Sequence, residues 1–336
     1  MSMPHPPGCP ACGGLRAPEP LEEHFDRYGG TTYRIRSCLE CGVVFSEPRE
    51  PVGSDWYVKS APLRGRRGAA PPETDWRFRQ FLSESLPPGR LLDVGCGDGG
   101  FMDLVRRRGW RPVGFDYDAR VAEQARARGL EACAMEFEKF TAGRREGEFD
   151  AVTLFDVLEH TPEPAWFFAR LARLLKPGGH AVVTLPNGLR PLPWGREEHD
   201  YPPHHFTRWT PESLGGFLRR QGFEIVRQKV CPLRARFLAD HCFFYRVMPG
   251  VLSLAKRVLF GRKAREGRTL SELCADSGAP RGGTLRDPLL RQRAVDAARA
   301  GFQALGLPLW LILRSYYTSR RPFPGDLLYT VARRVR

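Results

Sequence analysis

The stretch GRLLDVGCGDGGF, residues 89–101, decides the fold class that this sequence predicts. It begins with a short apolar run, LLDV, breaks at Gly95, Gly97 and Gly99, and continues into an amphipathic segment, FMDLVRRRGW. Glycines at this spacing permit a tight turn from strand to helix and let a ligand lie against bare backbone at the helix N-terminus. Because Gly100 also completes a GxGxxG pattern, the turn alone fits a dinucleotide-binding protein as well.

The segments after the turn predict more of the same sheet. RPVGFDYD, residues 111–118, predicts a second strand ending in Asp116, where a carboxylate can accept both hydroxyls of a ribose. DAVTLFDV and HAVVTLP are apolar runs of strand length, separated by AWFFARLARLLKPGG, whose apolar positions recur at helical spacing. This alternation predicts a parallel sheet that binds its ligand at the carboxyl ends of the strands.

Four motifs in a fixed order are similar to those of a known family. LLDVGCGDG, VGFDYD, EFDAVTLFDVLEH (148–160) and LLKPGGHAVVTLPN (174–187) resemble the class I S-adenosylmethionine-dependent methyltransferases. The resemblance implies an α/β, Rossmann-like fold whose seven-stranded, mostly parallel sheet carries helices on both faces. It also implies that the glycine turn holds the methionine end of S-adenosylmethionine, that Asp116 holds its ribose, and that its adenine lies near residues 135–137. The cofactor-binding residues implied are Asp93, Gly95, Cys96, Gly97, Gly99, Asp116, Tyr117, Glu136 and Phe155.

Two cysteine pairs near the N-terminus predict a metal-binding module. CPACG at 9–13 and CLECG at 38–42 each place two thiols two residues apart before a glycine, and TTYRIRS between them alternates as a strand does. Two such pairs can grip one ion, which predicts a zinc ribbon with a structural Zn²⁺. The predicted ligands are Cys9, Cys12, Cys38 and Cys41.

The remaining cysteines and the N-terminus bear on the cellular compartment. The other five of the nine cysteines are scattered without a disulfide framework, and MSMPHPPGCP has neither a basic start nor an apolar run. We therefore expect no signal peptide and a reducing, cytoplasmic environment.

The basic character of the chain is local. Of the net charge of +14, most lies in residues 231–336, which hold 20 Lys and Arg against 7 Asp and Glu. The same region contains two apolar segments bordered by arginines, residues 237–260 and 300–317, each too short in its uncharged part to span a membrane. We expect an inserted helical subdomain that covers the acceptor pocket. It either rests on an anionic membrane surface or is a plain helical cap or dimer contact.

Composition predicts the domain limits. We predict a zinc ribbon over 1–48, a Pro-, Gly- and Arg-rich linker over 49–74, a methyltransferase core over 75–231 and 322–336, and a basic helical insertion over 232–321. FPGDLLYTVARRV, within the last core segment, is the predicted final, antiparallel strand.

HDYPPHHFTRW, residues 199–209, follows the fifth predicted strand and should face the transferable methyl group. Stretches of the form PPHHxxRW are similar to those of a bacterial branch of these methyltransferases that often carries the same ribbon, with small natural products and saccharides among its acceptors. A hydroxyl acceptor must lose a proton, and an imidazole is suited to take it. His204 or His205 is the predicted base, with His160 as an alternative or an orienting partner.

Two other roles for this loop stay open. His199, Asp200, His204 and His205 could converge on one metal ion, although the two prolines between them restrict such wrapping. The prolines could instead stiffen a lid whose histidines only satisfy backbone carbonyls.

The sequence therefore predicts a methyltransferase that acts on a hydroxyl of a small molecule, a saccharide or a lipid-linked acceptor, in the cytoplasm or at the inner face of the membrane. An RNA methyltransferase is the second hypothesis, because zinc ribbons and basic patches occur in nucleic-acid binding. Nucleic acid is the less favoured partner, since the ribbon itself is not basic. A cofactor-binding scaffold without catalysis is the third.

Overall fold

The computed structural model describes residues 8–15, 19–50, 71–192, 195–196, 198–247, 250, 288–319 and 325–335. The predicted linker at 49–74 falls for the most part outside these residues, so its bounds stay a prediction. The chain forms two compact units. The first comprises Met1–Arg190, Glu197–Cys231 and Gly325–Arg336, and the second Pro191–Arg196 and Pro232–Pro324.

The described strands are β1 (Glu22–Asp26), β2 (Thr31–Ser37), β3 (Val44–Glu47), β4 (Arg90–Val94), β5 (Arg111–Asp116), β6 (Glu131–Ala134), β7 (Phe149–Phe155), β8 (Leu175–Pro186), β9 (Thr207–Arg208), β10 (Phe223–Val230) and β11 (Leu327–Arg334). The described helices are α1 (Trp76–Ser83), α2 (Gly100–Arg106), α3 (Ala119–Ala127), α4 (Phe137–Ala142), α5 (Pro164–Leu174), α6 (Pro211–Arg220), α7 (Ala235–Cys242), α8 (Pro288–Leu305) and α9 (Leu307–Ser319). Short 3-10 turns occur at Pro72–Thr74, Leu158–His160 and Glu198–Asp200.

The main sheet of the first unit has seven strands in the order β10-β11-β8-β7-β4-β5-β6. β4 pairs in parallel with both β5 and β7, β5 with β6 and β7 with β8, while β11 runs antiparallel to β8 and β10. The prediction of a Rossmann-like, mostly parallel sheet with a final antiparallel strand is confirmed. The chain runs outward from β4 to β6 and then returns to β7 on the other side of β4. That reversal opens a crevice at the carboxyl ends of the central strands.

Successive strand residues explain why helices cover both faces of this sheet. Leu91 and Leu92 of β4 are both fully buried, yet they belong to different core clusters because neighbouring strand residues point to opposite faces. The cluster around Leu91 includes Phe81 of α1 and Phe101 of α2. The cluster around Leu92 takes in α4, α5 and α6. Apolar runs without polar alternation, as in LLDV, produce this two-sided burial.

A second sheet, in the order β1-β2-β3-β9, carries the cysteine module. Three of its strands come from the N-terminal region, and β9 comes from the histidine stretch more than 150 residues later. Each cysteine pair ends in a turn in which a glycine with positive φ donates its N–H to the first cysteine's carbonyl: Gly13 to Cys9 at 2.8 Å and Gly42 to Cys38 at 2.9 Å. The ribbon is therefore built into the same unit as the main sheet.

The described helices of the second unit lie in sequence between β10 and β11, where a helical insertion was predicted, and the unit also includes Pro191–Arg196, which was not predicted. α7 continues into a π-helical turn, Phe243–Val247, and α8 and α9 are separated at Gly306, where an added Cβ would stand 2.4 Å from the Trp310 indole. Trp310 is buried beside Phe302. Within the part of the chain described, no helix has the length and apolarity needed to cross a bilayer. The part of the first predicted apolar segment that follows residue 250 lies outside the described residues.

Candidate functional site

The glycine turn after β4 leaves backbone exposed to a ligand. Gly95, Gly97 and Gly99 have φ values of 75°, 54° and 81°, in the region that disfavours side chains. A Cβ on Gly95 would also stand 2.7 Å from Cγ2 of Val157 on the chain after β7. The turn therefore lies where β4 and β7 end side by side, which is the predicted place for the cofactor.

Asp116 ties the end of β5 to this turn. Its Oδ2 accepts the Gly97 N–H at 2.9 Å, and its Oδ1 accepts the Asp118 N–H at 2.9 Å. Each oxygen keeps a second lone pair that can accept a ribose hydroxyl. The next residue, Tyr117, is 68% exposed and packs its ring edge-on against Phe115.

Asp93 is a buried carboxyl two residues before the turn. Thr153 Oγ1 donates to its Oδ1 at 2.7 Å. Burial raises the pKa of Asp93 to about 7, and the nearby Asp116 carboxylate adds to the rise while the Thr153 hydrogen bond opposes it. The structure thus brings Asp93, the glycine turn and Asp116 together as the sequence predicted.

The other predicted cofactor residues lie in different settings. Cys96 is buried under the turn, where burial raises the pKa of its thiol. The ring of Phe155 packs 4.7 Å from that of Phe101 and 5.3 Å from that of Phe78. Glu136 is exposed and pairs with Lys139 at 3.0 Å. That surface ion pair makes Glu136 the predicted contact with the weakest support.

Sequence reasoning missed Asp156, the residue after β7. It has a φ of 56°, the one positive value among described residues other than glycine. Thr184 Oγ1 donates to its Oδ1 at 3.0 Å, and the Arg77 guanidinium donates to its Oδ2. Such a backbone conformation costs on the order of 1–3 kcal/mol and is concentrated at functional sites. The position of Asp156, an acid at the end of a central strand, could have marked it as a site residue from the sequence. Nothing in the sequence links it to Arg77, which lies 79 residues away.

The structure brings together the three histidines that the sequence singled out. The ring centroids of His160 and His204 are 4.6 Å apart, and each ring lies 4.8 Å from that of His205. One nitrogen from each ring lies within 4.8 Å of one from the others. His199 is more distant, with ring centroids more than 6 Å from those of His204 and His205. We call His160, His204 and His205 the histidine cluster.

Each imidazole of the cluster directs Nδ1 at an oxygen. His160 Nδ1 lies 2.6 Å from the His204 carbonyl oxygen, and His204 Nδ1 lies 2.9 Å from that of His199. His205 Nδ1 lies 3.6 Å from Oδ1 of Asp200. Because carbonyl oxygens only accept, Nδ1 of His160 and of His204 carries the proton, which leaves Nε2 as the basic nitrogen.

Burial keeps the cluster neutral. It lowers the pKa of His160, and it lowers those of His204 and His205 to about 2 and about 3, with the neighbouring imidazoles adding to the shift in His204. Burial opposes ionisation of Asp200 as well, yet the Arg190 guanidinium and His205 hold the pKa of that carboxyl well below its usual range. Neutral imidazoles can accept a proton or bind a metal.

Glu159 lies directly beside the cluster. Its side chain is almost wholly buried, and neither carboxylate oxygen has a hydrogen-bond partner among the described residues. Oε1 lies 3.9 Å from Nε2 of His160. Burial raises the pKa of Glu159 well above its ordinary value. Sequence reasoning gave Glu159 no role of its own.

The four cysteines fit a zinc ion. Their sulfurs all lie within 4.8 Å of one another, with 3.5 Å between Cys9 and Cys41 and 3.6 Å between Cys12 and Cys38. Four thiolates held tetrahedrally at about 2.3 Å from one ion would be about 3.8 Å apart. The Gly14 N–H points at Cys12 Sγ at 3.4 Å, which is the contact expected of a metal-bound thiolate.

The ribbon also holds the histidine stretch in place. β3 pairs with β9, and the Ser46 N–H donates to the Phe206 carbonyl at 3.0 Å. The His24 ring stacks on that of Tyr201 at 4.3 Å. The Phe206 N–H in turn donates to the Glu159 carbonyl at 2.8 Å. The histidine stretch is therefore held by contacts to both the ribbon and the chain after β7.

Comparisons with known proteins identify relatives of this chain. A family model described as a methyltransferase domain matches residues 67–228. The ubiquinone biosynthesis O-methyltransferase of Ralstonia nicotianae is 31% identical over 214 residues, which cover 57% of this chain and 78% of that protein. The protein of the same name from Saccharophagus degradans is 32% identical over 172 residues, 45% of this chain and 70% of its own length. A solved methyltransferase from Archaeoglobus fulgidus aligns over 83% of this chain and 99% of its own with a TM-score of 0.49 and 14% identity.

The chain belongs to the class I S-adenosylmethionine-dependent methyltransferases. It is an enzyme of that class, with S-adenosylmethionine as its methyl donor.

Proposed function

We propose that this enzyme transfers the methyl group of S-adenosylmethionine to a hydroxyl of a small-molecule acceptor. The observation that carries this proposal is the short path from the donor site to the histidine cluster. Val157 approaches the glycine turn at Gly95, and its carbonyl accepts the His160 N–H at 3.0 Å. His160, a member of the histidine cluster, therefore lies three residues after the residue that approaches the glycine turn.

The nature of the acceptor atom is supported by the relatives. Proteins about a third identical to this chain are named as O-methyltransferases of ubiquinone biosynthesis. A hydroxyl acceptor must lose its proton, and the neutral imidazoles beside the donor offer lone pairs that can accept a hydrogen bond from it or hold a cation that acidifies it. Saccharide and lipid-linked hydroxyls belong to the same proposal.

Different residues of the chain bind the donor and contact the acceptor. The bound sulfonium supplies an electrophilic methyl group. The glycine turn and Asp116 hold the donor, while the histidine cluster adjoins the acceptor oxygen and weakens its O–H bond, either directly or through a bound cation. His204 is the leading member of the cluster because it is less buried than His205.

Calorimetry and a methylation screen test this function. We expect the purified chain to bind S-adenosylhomocysteine and to transfer radiolabelled methyl to at least one acceptor among polyprenylated phenols, catechols and saccharides. The same panel with every hydroxyl already methylated is the control. Transfer to bulk RNA, with none to any hydroxyl acceptor, would instead support the nucleic-acid hypothesis. Donor binding without any turnover would support a scaffold.

We also propose that the second unit rests on an anionic membrane surface at the inner face of the cytoplasmic membrane. α9 exposes five apolar side chains, and the chain from residue 231 onward is strongly basic. Apolar area and positive charge together bind interfaces rich in anionic lipid. The exposed side chains are Leu307, Leu309, Leu311, Ile312 and Tyr316.

Vesicle flotation tests the membrane proposal. We expect the chain to float with vesicles that contain phosphatidylglycerol and to stay in solution with phosphatidylcholine alone, with binding weakened by salt. Ile312→Glu should reduce flotation without changing S-adenosylhomocysteine affinity. Equal recovery from both vesicle types would remove the electrostatic part of the proposal.

A further inference from the structure

We infer that His160, His204 and His205 form a second metal site, separate from the four cysteines and open to the acceptor. This inference rests on the proposed function, because it names how the histidine cluster acts on the acceptor oxygen. Its first support is distance. Nitrogens from the three rings lie within 4.8 Å of one another, and three imidazoles on one ion at about 2.0–2.1 Å would be roughly 3–3.4 Å apart. Side-chain rotations of the three rings would have to close that difference on metal binding.

The second support is the orientation of the rings. A histidine that binds metal through one nitrogen almost always donates its other N–H to a carbonyl or carboxylate, which fixes the tautomer. His160 and His204 show this arrangement at Nδ1, towards the carbonyls of His204 and His199, and His205 Nδ1 lies 3.6 Å from the Asp200 carboxylate. A lid whose histidines merely satisfied backbone carbonyls would not need nitrogens of three rings to lie within 4.8 Å of one another.

The third support is the buried Glu159 carboxyl. Leaving a buried acceptor without a partner costs on the order of 1–3 kcal/mol, and more if it is charged. Its Oε1 lies 3.9 Å from Nε2 of His160, the nitrogen that would face the ion. A cation at the cluster would give the Glu159 carboxylate a counter-charge. Glu159 would either bind the ion directly or lie behind the histidines that bind it.

The donor set indicates the class of metal. Imidazole nitrogens favour Zn²⁺, Fe²⁺, Co²⁺ or Ni²⁺, whereas Mg²⁺ and Ca²⁺ prefer sites made of oxygen. Three protein ligands leave at least one coordination position open. An acceptor hydroxyl bound there would have its pKa lowered, so that it could release its proton to solvent as an alkoxide or phenolate. Its oxygen would then form the bond to the methyl carbon as the S–CH₃ bond of S-adenosylmethionine breaks and neutral S-adenosylhomocysteine leaves. The site assigned to S-adenosylmethionine is unchanged by this step.

Metal stoichiometry of the full chain tests the inference. The protein is dialysed against Zn²⁺ alone and its metal is measured by mass spectrometry. We expect two zinc ions per wild-type chain and one per chain in His160→Asn and in His205→Asn. His180→Ala, at a half-buried histidine in the middle of β8, is the matched control and should retain two. Glu159→Gln should weaken the second site by roughly tenfold, as expected for a removed counter-charge or outer-shell partner.

Cobalt identifies which site each variant has lost. A Co²⁺-loaded ribbon shows thiolate-to-cobalt charge transfer, whereas the histidine cluster would add only ligand-field absorption. Unchanged S-adenosylhomocysteine affinity shows that each variant is folded. One thiolate-bound metal per wild-type chain, with no loss in the histidine variants, would overturn the inference.

Measuring methyl transfer alongside metal content tests the proposed function separately from the metal site. If a mild chelator removes the second zinc ion and methyl transfer to a hydroxyl continues undiminished, the inferred action of that metal on the acceptor is overturned and the proposed function stands. Two metals per chain, with no methyl transfer to any hydroxyl acceptor, would support the second metal site and contradict the proposed function.

Discussion

The glycine turn, proposed as the donor half of the site, and the histidine stretch, proposed as its acceptor half, are assembled in different ways. On the donor side, the contact between Gly97 and Asp116 spans 19 residues of chain. On the acceptor side, the contact between His160 and His204 spans 44 residues, and that between Ser46 and Phe206 spans 160. The donor half is thus a local strand–turn–helix–strand motif, whereas the acceptor half exists only when the ribbon and the main sheet have folded together.

The largest effect should come from removing the ribbon metal. Structural zinc contributes about 10–16 kcal/mol of apparent binding free energy in small modules, so Cys38→Ser should unfold the ribbon and release β9. We expect methyl transfer to be lost and hydrogen exchange to rise across residues 199–209. Exchange at the glycine turn should change less.

Cys242→Ser is the control for loss of a thiol, since Cys242 lies in the second unit. Equal loss of protection in the glycine turn and in the histidine stretch would show that the two halves are one cooperative element.

Replacing His204 should separate catalysis from donor binding. General base or metal-ligand roles contribute roughly 10²–10⁴-fold to rate, so His204→Gln should lower kcat by that order. The affinity for S-adenosylhomocysteine, measured by calorimetry, should stay within about twofold because the donor contacts are untouched. His180→Ala should leave both quantities near wild type, and a fall in donor affinity alone would contradict the division into halves.

The contrast between the halves also explains what the sequence could predict. Gly95, Asp116 and the cysteine pairs were found because each motif is continuous or regularly spaced, so the residue types alone define the geometry. His160 was found for the same reason, as part of a strand-end motif. The sequence could not show that His160 replaces His199 beside His204, because a tertiary fold decides which rings meet.

Arg77 and Glu159 illustrate the same limit. Arg77 reaches Asp156 from a helix that precedes the glycine turn, and an arginine in that helix is typical of any solvated face. Glu159 belongs to a motif that the sequence analysis quoted, yet its lack of a hydrogen-bond partner is a property of burial. Burial and pairing across the sheet had to be seen in three dimensions.

A donor-side change should have a smaller effect than loss of the cluster. Asp116→Ala removes a carboxylate that accepts the Gly97 N–H and can accept the ribose hydroxyls. Hydrogen bonds to a charged group contribute about 1.5–3 kcal/mol, so S-adenosylhomocysteine should bind roughly 10- to 100-fold more weakly. Glu136→Gln is a demanding comparison, because the sequence assigned Glu136 to the adenine and the structure pairs it with Lys139. An equal loss in both variants would restore the sequence assignment.

The smallest predicted effect tests whether the ribbon tunes acceptor binding. Arg208 of β9 pairs with Glu22 of β1, and Tyr201 donates to the same carboxylate at 3.1 Å. Glu22 is about a third exposed, so solvent screening limits the contribution of the pair to roughly 1 kcal/mol or less.

Glu22→Gln should therefore raise the KM for the acceptor by at most about fivefold, while kcat and donor affinity stay unchanged. Glu23→Gln, one residue along the same strand and paired with exposed Arg34, is the matched control. If both variants leave the acceptor KM unchanged, the ribbon acts as an all-or-none scaffold whose individual contacts do not adjust the histidine stretch.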